Sequence, residues 1–163
     1  MFPADLVETA TALLASLRAK GLRLAAAESC TGGLVSGLLT EIPGASDVLE
    51  RGFVTYSNAA KIEMLSVPAA VIDRHGAVSA AVALAMAEGA LRHSRADVAV
   101  SVTGIAGPDG GTDSKPVGLV YLSAERRGRP GVAHRCAFGD IGRTNVRIES
   151  VREALKLIEQ AVA

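Results

Sequence analysis

Tryptophan is absent from this sequence, and two tyrosines and three phenylalanines are its whole aromatic complement in 163 residues. That composition speaks against the base-stacking platforms on which single-stranded nucleic acids are held. Neither sign of charge is in excess: 17 basic residues balance 17 acidic ones. No whole-chain field therefore favours nucleic acid or an anionic membrane. The two cysteines, Cys30 and Cys136, stand far apart without CxxC or CxxH spacing, which argues against a zinc site and against a disulfide framework. No run of about 18 apolar residues suggests a membrane span. The opening MFPADLVETATALL is acidic where an export signal is basic, so a reduced, cytoplasmic protein is expected. The GxSxG, GxGxxG and Walker patterns are missing as well.

What is present is alternation. Leu6, Val7, Ala10, Leu13, Leu14 and Leu17 recur at helical spacing up to Gly21. Leu22–Ala27 reads as an inner strand, and 32–40 as a helix capped by Thr31. Phe53–Tyr56 reads as a strand, followed by a helix over Ala59–Leu65 capped by Ser57 or Asn58. Ser79 opens a helix to about Leu91 that is alanine-rich on every face, and so is either buried or packed on another subunit. Val98–Val102, Leu119–Ala124 and Val132–Phe138 are expected strands, and Ile148, Val151, Leu155, Ile158 and Val162 stripe a final helix. One domain over residues 1–163 follows, a three-layer α/β/α sandwich on a mixed, mostly parallel sheet.

Two segments end a strand in glycine: LRLAAAESCTGG, Leu22–Gly33, and ADVAVSVTGIAGPDGG, Ala96–Gly111. Ligands of α/β proteins bind at the carboxyl ends of strands. Ser29 is the first candidate nucleophile, and a serine needs a base. His75, His93 and His134 lie in unrelated contexts and are expected on the surface. Lys61 is the better base. It sits in the first turn of a helix, where the dipole and any burial disfavour an ammonium. In isolation, an exposed lysine that tolerates a small penalty is the commoner case; the hydrogen-bonding neighbours Tyr56, Ser57 and Asn58 make the catalytic reading competitive with it. Cys30 is a rival to Ser29, although cysteine is the residue type more often buried. Backbone amides from Cys30 to Gly33 are placed to hold an anion, with Gly32 and Gly33 allowing close approach. The loop TGIAGPDGGTDSKPVG, Thr103–Gly118, is either a binding loop or an irregular structural one. Asp109 and Asp113 read as its turn residues. Arg143 and Arg147 lie four apart, either to hold a phosphate or to pair with Asp140 or Glu149.

Together these segments resemble the CinA carboxyl-terminal domain family, whose enzymatic members are nicotinamide-nucleotide amidases. AESCTGGL (Ala27–Leu34), VTYSNAAK (Val54–Lys61), GAVS (Gly76–Ser79) and TGIAGPDGGTDSKPVG carry the likeness. The resemblance implies a three-layer α/β/α homodimer that hydrolyses the carboxamide of nicotinamide mononucleotide in pyridine-nucleotide salvage. It implies a catalytic Ser29–Lys61 dyad, with Tyr56 assisting. Glu28, Cys30, Thr31, Gly32, Gly33, Thr103, Gly104, Gly107, Gly111 and Arg143 are the expected substrate contacts. Neither metal nor cofactor is expected, and neither nucleic acid nor membrane is an expected partner. Two departures stand out. The family's Gly-Asp-Arg is here opened by Ile141-Gly142, and Ser66 stands where glycine is common. Full-length members carry a further amino-terminal domain with no counterpart in this sequence. A catalytically silent nucleotide sensor or protein-binding module, linked to competence and DNA damage, is the alternative reading. A deamidase acting on another pyridine or nucleoside carboxamide is a third.

Overall fold

Leu24–Glu28 forms β1 near the middle of the sheet, and every residue of it is buried. Two covered faces leave such a strand no polar side to show, hence its Leu-Ala-Ala-Ala composition. The structure, a computed structural model, describes residues 1–163. Before β1 runs α1 (Ala4–Ala19), and after it come α2 (Leu34–Thr40), β2 (Leu49–Val54) and α3 (Asn58–Leu65). Next follow α4 (Ala69–His75), α5 (Ala80–Arg92), β3 (Val98–Gly104), β4 (Leu119–Arg126), β5 (Val132–Ala137) and α6 (Arg143–Val162).

The sheet order is β2-β1-β3-β4-β5. β1 pairs in parallel with both β2 and β3, whereas β4 is antiparallel to β3 and to β5. Four strands therefore run one way and β4 runs against them. Period-two alternation divides the sheet between two cores. Leu24, Ala26, Val98, Val100 and Val102 join the core beneath α1, α2 and α6. Ala25, Ala27 and Ala99 join the core beneath α3, α4 and α5. The α/β/α sandwich expected from the alternation is the one observed.

The alanine-rich α5 packs within this chain. Ser101 Oγ of β3 donates to the Ala83 carbonyl at 2.6 Å, and a Cβ on Gly89 would stand 2.1 Å from the Leu65 carbonyl of α3. Small side chains let α5 settle that closely.

Three local expectations are corrected. β2 spans Leu49–Val54, not Phe53–Tyr56: it is an edge strand whose exposed Arg51 and Gly52 blur the pattern. Helix α2 starts at Leu34, not at residue 32, because Gly32 and Gly33 hold φ of +55° and +99°. Thr31 does not cap it, and its buried hydroxyl has no hydrogen-bond partner. Helix α4, bounded by Pro68 and Gly76, was too short to announce itself by periodicity.

Candidate active site

β1, β2 and β3 end level with one another. Glu28 is in register with Val54 and Val102, so Ser29, Thr55-Tyr56 and Thr103-Gly104 arrive together at one sheet edge. Two amides lock the level: Ser29 N–H donates to the Val102 carbonyl at 2.9 Å, and Thr55 N–H to the Glu28 carbonyl at 2.8 Å. Alternation then sorts three consecutive side chains. Glu28 and Cys30 belong to the face of α2 and α6, and Ser29 to the opposite face, where α3 waits.

Lys61 comes from α3. Ser57 is the N-cap, its hydroxyl accepting from Ala60 N–H at 3.0 Å, which decides between the two expected caps. Lys61 follows in the first turn, turned inward and only 1% exposed. Its Nζ lies 3.1 Å from Ser29 Oγ, 3.0 Å from the Thr55 carbonyl and 3.4 Å from the Tyr56 carbonyl. It forms no salt bridge. Burial lowers its pKa below the usual lysine value, only partly opposed by the nearby Cys30 thiol. A neutral amine has two N–H bonds and one lone pair. Two carbonyls and one hydroxyl surround the nitrogen, a set of partners that complements such an amine.

The neighbours of Ser29 are engaged elsewhere. Glu28, expected among the substrate contacts, is buried, and its carboxylate accepts from Val35 N–H at 2.8 Å, Ser36 N–H at 3.0 Å and Ser36 Oγ at 2.9 Å. The positive end of α2 is thus occupied by the protein's own anion. Cys30 packs in the core with its thiol pushed up to about 12 by burial, so Ser29 is the residue presented to Lys61. What the turn still offers is backbone. The N–H groups of Cys30, Thr31 and Gly33 donate to no carbonyl, whereas Gly32 N–H closes the turn on the Ser29 carbonyl at 3.0 Å.

Arg147 of α6 braces this turn, its Nε donating to the Cys30 carbonyl at 3.1 Å and its Nη2 to the Thr31 carbonyl at 3.2 Å. Neither Arg143 nor Arg147 pairs with Asp140 or Glu149; Glu149 faces Arg152 instead. The inserted Ile141-Gly142 is absorbed in a turn with φ of +77° at Gly139 and +90° at Gly142. Arg143 consequently still reaches the site, donating to the Gly107 carbonyl at 2.8 Å and to Tyr56 Oη at 3.2 Å. It ties the exposed Tyr56 to the glycine-rich loop.

Thr103 is buried and its hydroxyl donates to the Ala77 carbonyl at 2.8 Å, joining the GAVS segment to the end of β3. Packing accounts for the loop's glycines. A Cβ on Gly104 would stand 2.6 Å from Val120 Cγ2, one on Gly107 2.6 Å from Val117 Cγ1, and one on Gly111 2.8 Å from the Val117 nitrogen. Ser66, the other departure, holds φ of 56° at the end of α3, a conformation that glycine adopts freely. All three histidines are exposed and none touches Ser29.

A buried hydroxyl beside an unpaired buried amine, next to amides with no internal acceptor, has the parts for nucleophilic attack on a carbonyl and for holding the resulting oxyanion. The bracing by Arg147 and the part of the Thr55 carbonyl were not singled out in the sequence; strand register places the carbonyl, and the packing of α6 places the arginine.

Comparison with known proteins gives a consistent picture. The family model described as the CinA C-terminal domain matches residues 7–162. The nicotinamide-nucleotide amidohydrolase PncC of Escherichia coli K12 is 45% identical over 161 residues, 98% of this chain and 96% of that protein. A putative competence-damage inducible protein of Symbiobacterium thermophilum is 57% identical over 115 residues, 71% of this chain. That match covers 27% of the relative, so the chain corresponds to a fraction of such longer proteins. A crystal structure of the competence/damage inducible protein CihA from Agrobacterium tumefaciens superposes with a TM-score of 0.98 at 49% identity, covering 100% of this chain and 99% of that one.

Proposed function

The chain belongs to the CinA C-terminal domain family, and on that premise we propose that it is an amidase. It hydrolyses the carboxamide of nicotinamide mononucleotide to nicotinate mononucleotide and ammonia, through an acyl-enzyme on Ser29. The observation that carries this reading is the 3.1 Å approach of Lys61 Nζ to Ser29 Oγ, out of water and away from any carboxylate. The full-length match to the amidohydrolase PncC supports it.

Neutral Lys61 accepts the proton of Ser29 as Oγ attacks the carboxamide carbon. The carbonyl oxygen gains charge and is held by the free amides of the turn, those of Cys30, Thr31 and Gly33. The lysine ammonium then donates to the nitrogen as the C–N bond breaks, releasing ammonia and leaving an ester on Ser29. Water enters, Lys61 removes its proton, and collapse of the second tetrahedral adduct restores Ser29 and frees the carboxylate. The Thr55 and Tyr56 carbonyls keep the amine aimed throughout. Arg143 is the cation for the substrate phosphate, with Tyr56 beside it, and the loop bearing Thr103, Gly104, Gly107 and Gly111 encloses the nucleotide. The scheme uses protein groups and water alone. The enzyme acts in the cytoplasm as a homodimer.

Incubation of the purified protein with nicotinamide mononucleotide tests the reading. Ammonia release that disappears in Ser29→Ala upholds it. Binding of the nucleotide without turnover favours the silent sensor instead, a reading for which the competence and damage names of the relatives speak.

A further inference from the structure

β5 closes the sheet on the side away from β2. His134 and Cys136 stand two residues apart on it and so project from the same face. α6 crosses that face and brings Glu153. An imidazole nitrogen, the thiol sulfur and a carboxylate oxygen then lie within 4.8 Å of one another. None of these residues belongs to the Ser29–Lys61 site.

The carboxylate divides its two oxygens between neighbours. His134 Nε2 is 3.9 Å from Glu153 Oε2, while the other oxygen, Oε1, accepts from Lys156 Nζ at 2.6 Å. Cys136 is buried and in no disulfide. Bonds of about 2.0–2.3 Å to a tetrahedral ion place donors roughly 3.3–3.8 Å apart. The trio, within 4.8 Å, stands at most about an ångström wider than that spacing. An ion pair between His134 and Glu153 needs no thiol beside it. Thiolate, imidazole and carboxylate converging from two elements are the ligand set of a borderline-soft divalent cation.

We propose that His134, Cys136 and Glu153 form a three-ligand site for such a cation, zinc being the ion whose chemistry fits, with water in the fourth position. Binding replaces the Cys136 S–H bond by a sulfur–metal bond and releases one proton to solvent. The cation would join β5 to α6, the helix whose first turns carry Arg143 and Arg147. No CxxC spacing announces the site, because a strand brings residues i and i+2 together where a turn or helix uses wider intervals.

The test titrates the metal-free, reduced protein with Co²⁺ as a spectroscopic stand-in, followed by Zn²⁺. One equivalent of Co²⁺ gives a thiolate-to-cobalt charge-transfer band, Zn²⁺ bleaches it, and Cys136→Ser lacks it. His134→Ala, a change at an exposed position that keeps the fold, weakens Zn²⁺ binding by more than the roughly 10- to 100-fold that loss of an outer-shell partner costs. Zn²⁺ also raises the Tm of the parent protein but not that of His134→Ala. Absence of the band in the parent, its persistence in Cys136→Ser, or unchanged Zn²⁺ affinity in His134→Ala overturns the proposal.

Discussion

Arg147 Nε and the Cys30 carbonyl meet at 3.1 Å across 117 residues of chain. A planar trans peptide points its N–H opposite to its C=O. With the Cys30 carbonyl turned to α6, the Thr31 amide faces the other way, toward the side of the sheet edge that carries Ser29. In the proposed mechanism Arg147 is accordingly a positioning residue for the amides that hold the oxyanion. Replacement by Met should lower kcat on nicotinamide mononucleotide by about 10²–10³-fold, the cost of a lost oxyanion donor, with KM near the parent value. Arg147→Lys should recover part of the rate through one of the two carbonyls. A drop in Tm without the split between kcat and KM would reduce Arg147 to a packing role.

Removal of either dyad member should be far more severe. Ser29→Ala and Lys61→Met are expected to cut kcat by on the order of 10⁴-fold or more while far-ultraviolet circular dichroism stays native. The double variant should be no worse than the single ones, since in the proposed mechanism the two groups act as a unit. Additive losses would contradict a shared proton transfer.

The buried amine also sets a pH dependence. In the proposed mechanism Lys61 works in its neutral form, so kcat/KM should climb with pH through a pKa below the ordinary lysine value. The same shift governs stability. Between the lowered folded pKa and the ordinary value of 10.5 the unfolded chain binds the extra proton, so stability rises with pH across that window. Below the folded pKa the cost of burying the lysine is fully present. Lys61→Met removes this contribution, and the difference between the stability–pH curves of parent and variant isolates it from the thiols that titrate nearby. Parallel curves would refute a depressed Lys61.

Arg143 and Tyr56 are expected to act on binding. Arg143→Ala should raise KM by roughly tenfold or more, about 1.4 kcal/mol, with kcat less affected. The effect should shrink with a substrate lacking the phosphate; an equal loss on both would place Arg143 outside phosphate recognition.

Glu28→Gln offers a purely structural check. Its carboxylate accepts from two amides and a hydroxyl at the start of α2, and a carboxamide would turn an NH₂ toward them. A loss of about 1–3 kcal/mol in denaturant unfolding is expected. An unchanged midpoint would deny the cap.

The layers were legible in the chain because alternating strand and helix patterns are local, and so was a cap at Ser57 or Asn58 for the helix of Lys61. The motif segments were legible as well. Of residues 28–30, residue type favoured a buried Cys30 beside an outward Ser29, but the place of Glu28 was not legible. β1 is covered on both faces, so Leu-Ala-Ala-Ala shows no contrast from which its alternation could be read. Only the packing of α2 and α6 on one side, and of α3 on the other, sends Glu28 to a helix start, Ser29 to an amine and Cys30 into the core. The edge strand β2 and the bracing by Arg147 depend in the same way on partners remote in sequence. Local composition determined which elements form; which face each side chain meets was decided by strand pairing and layer packing, which link distant residues.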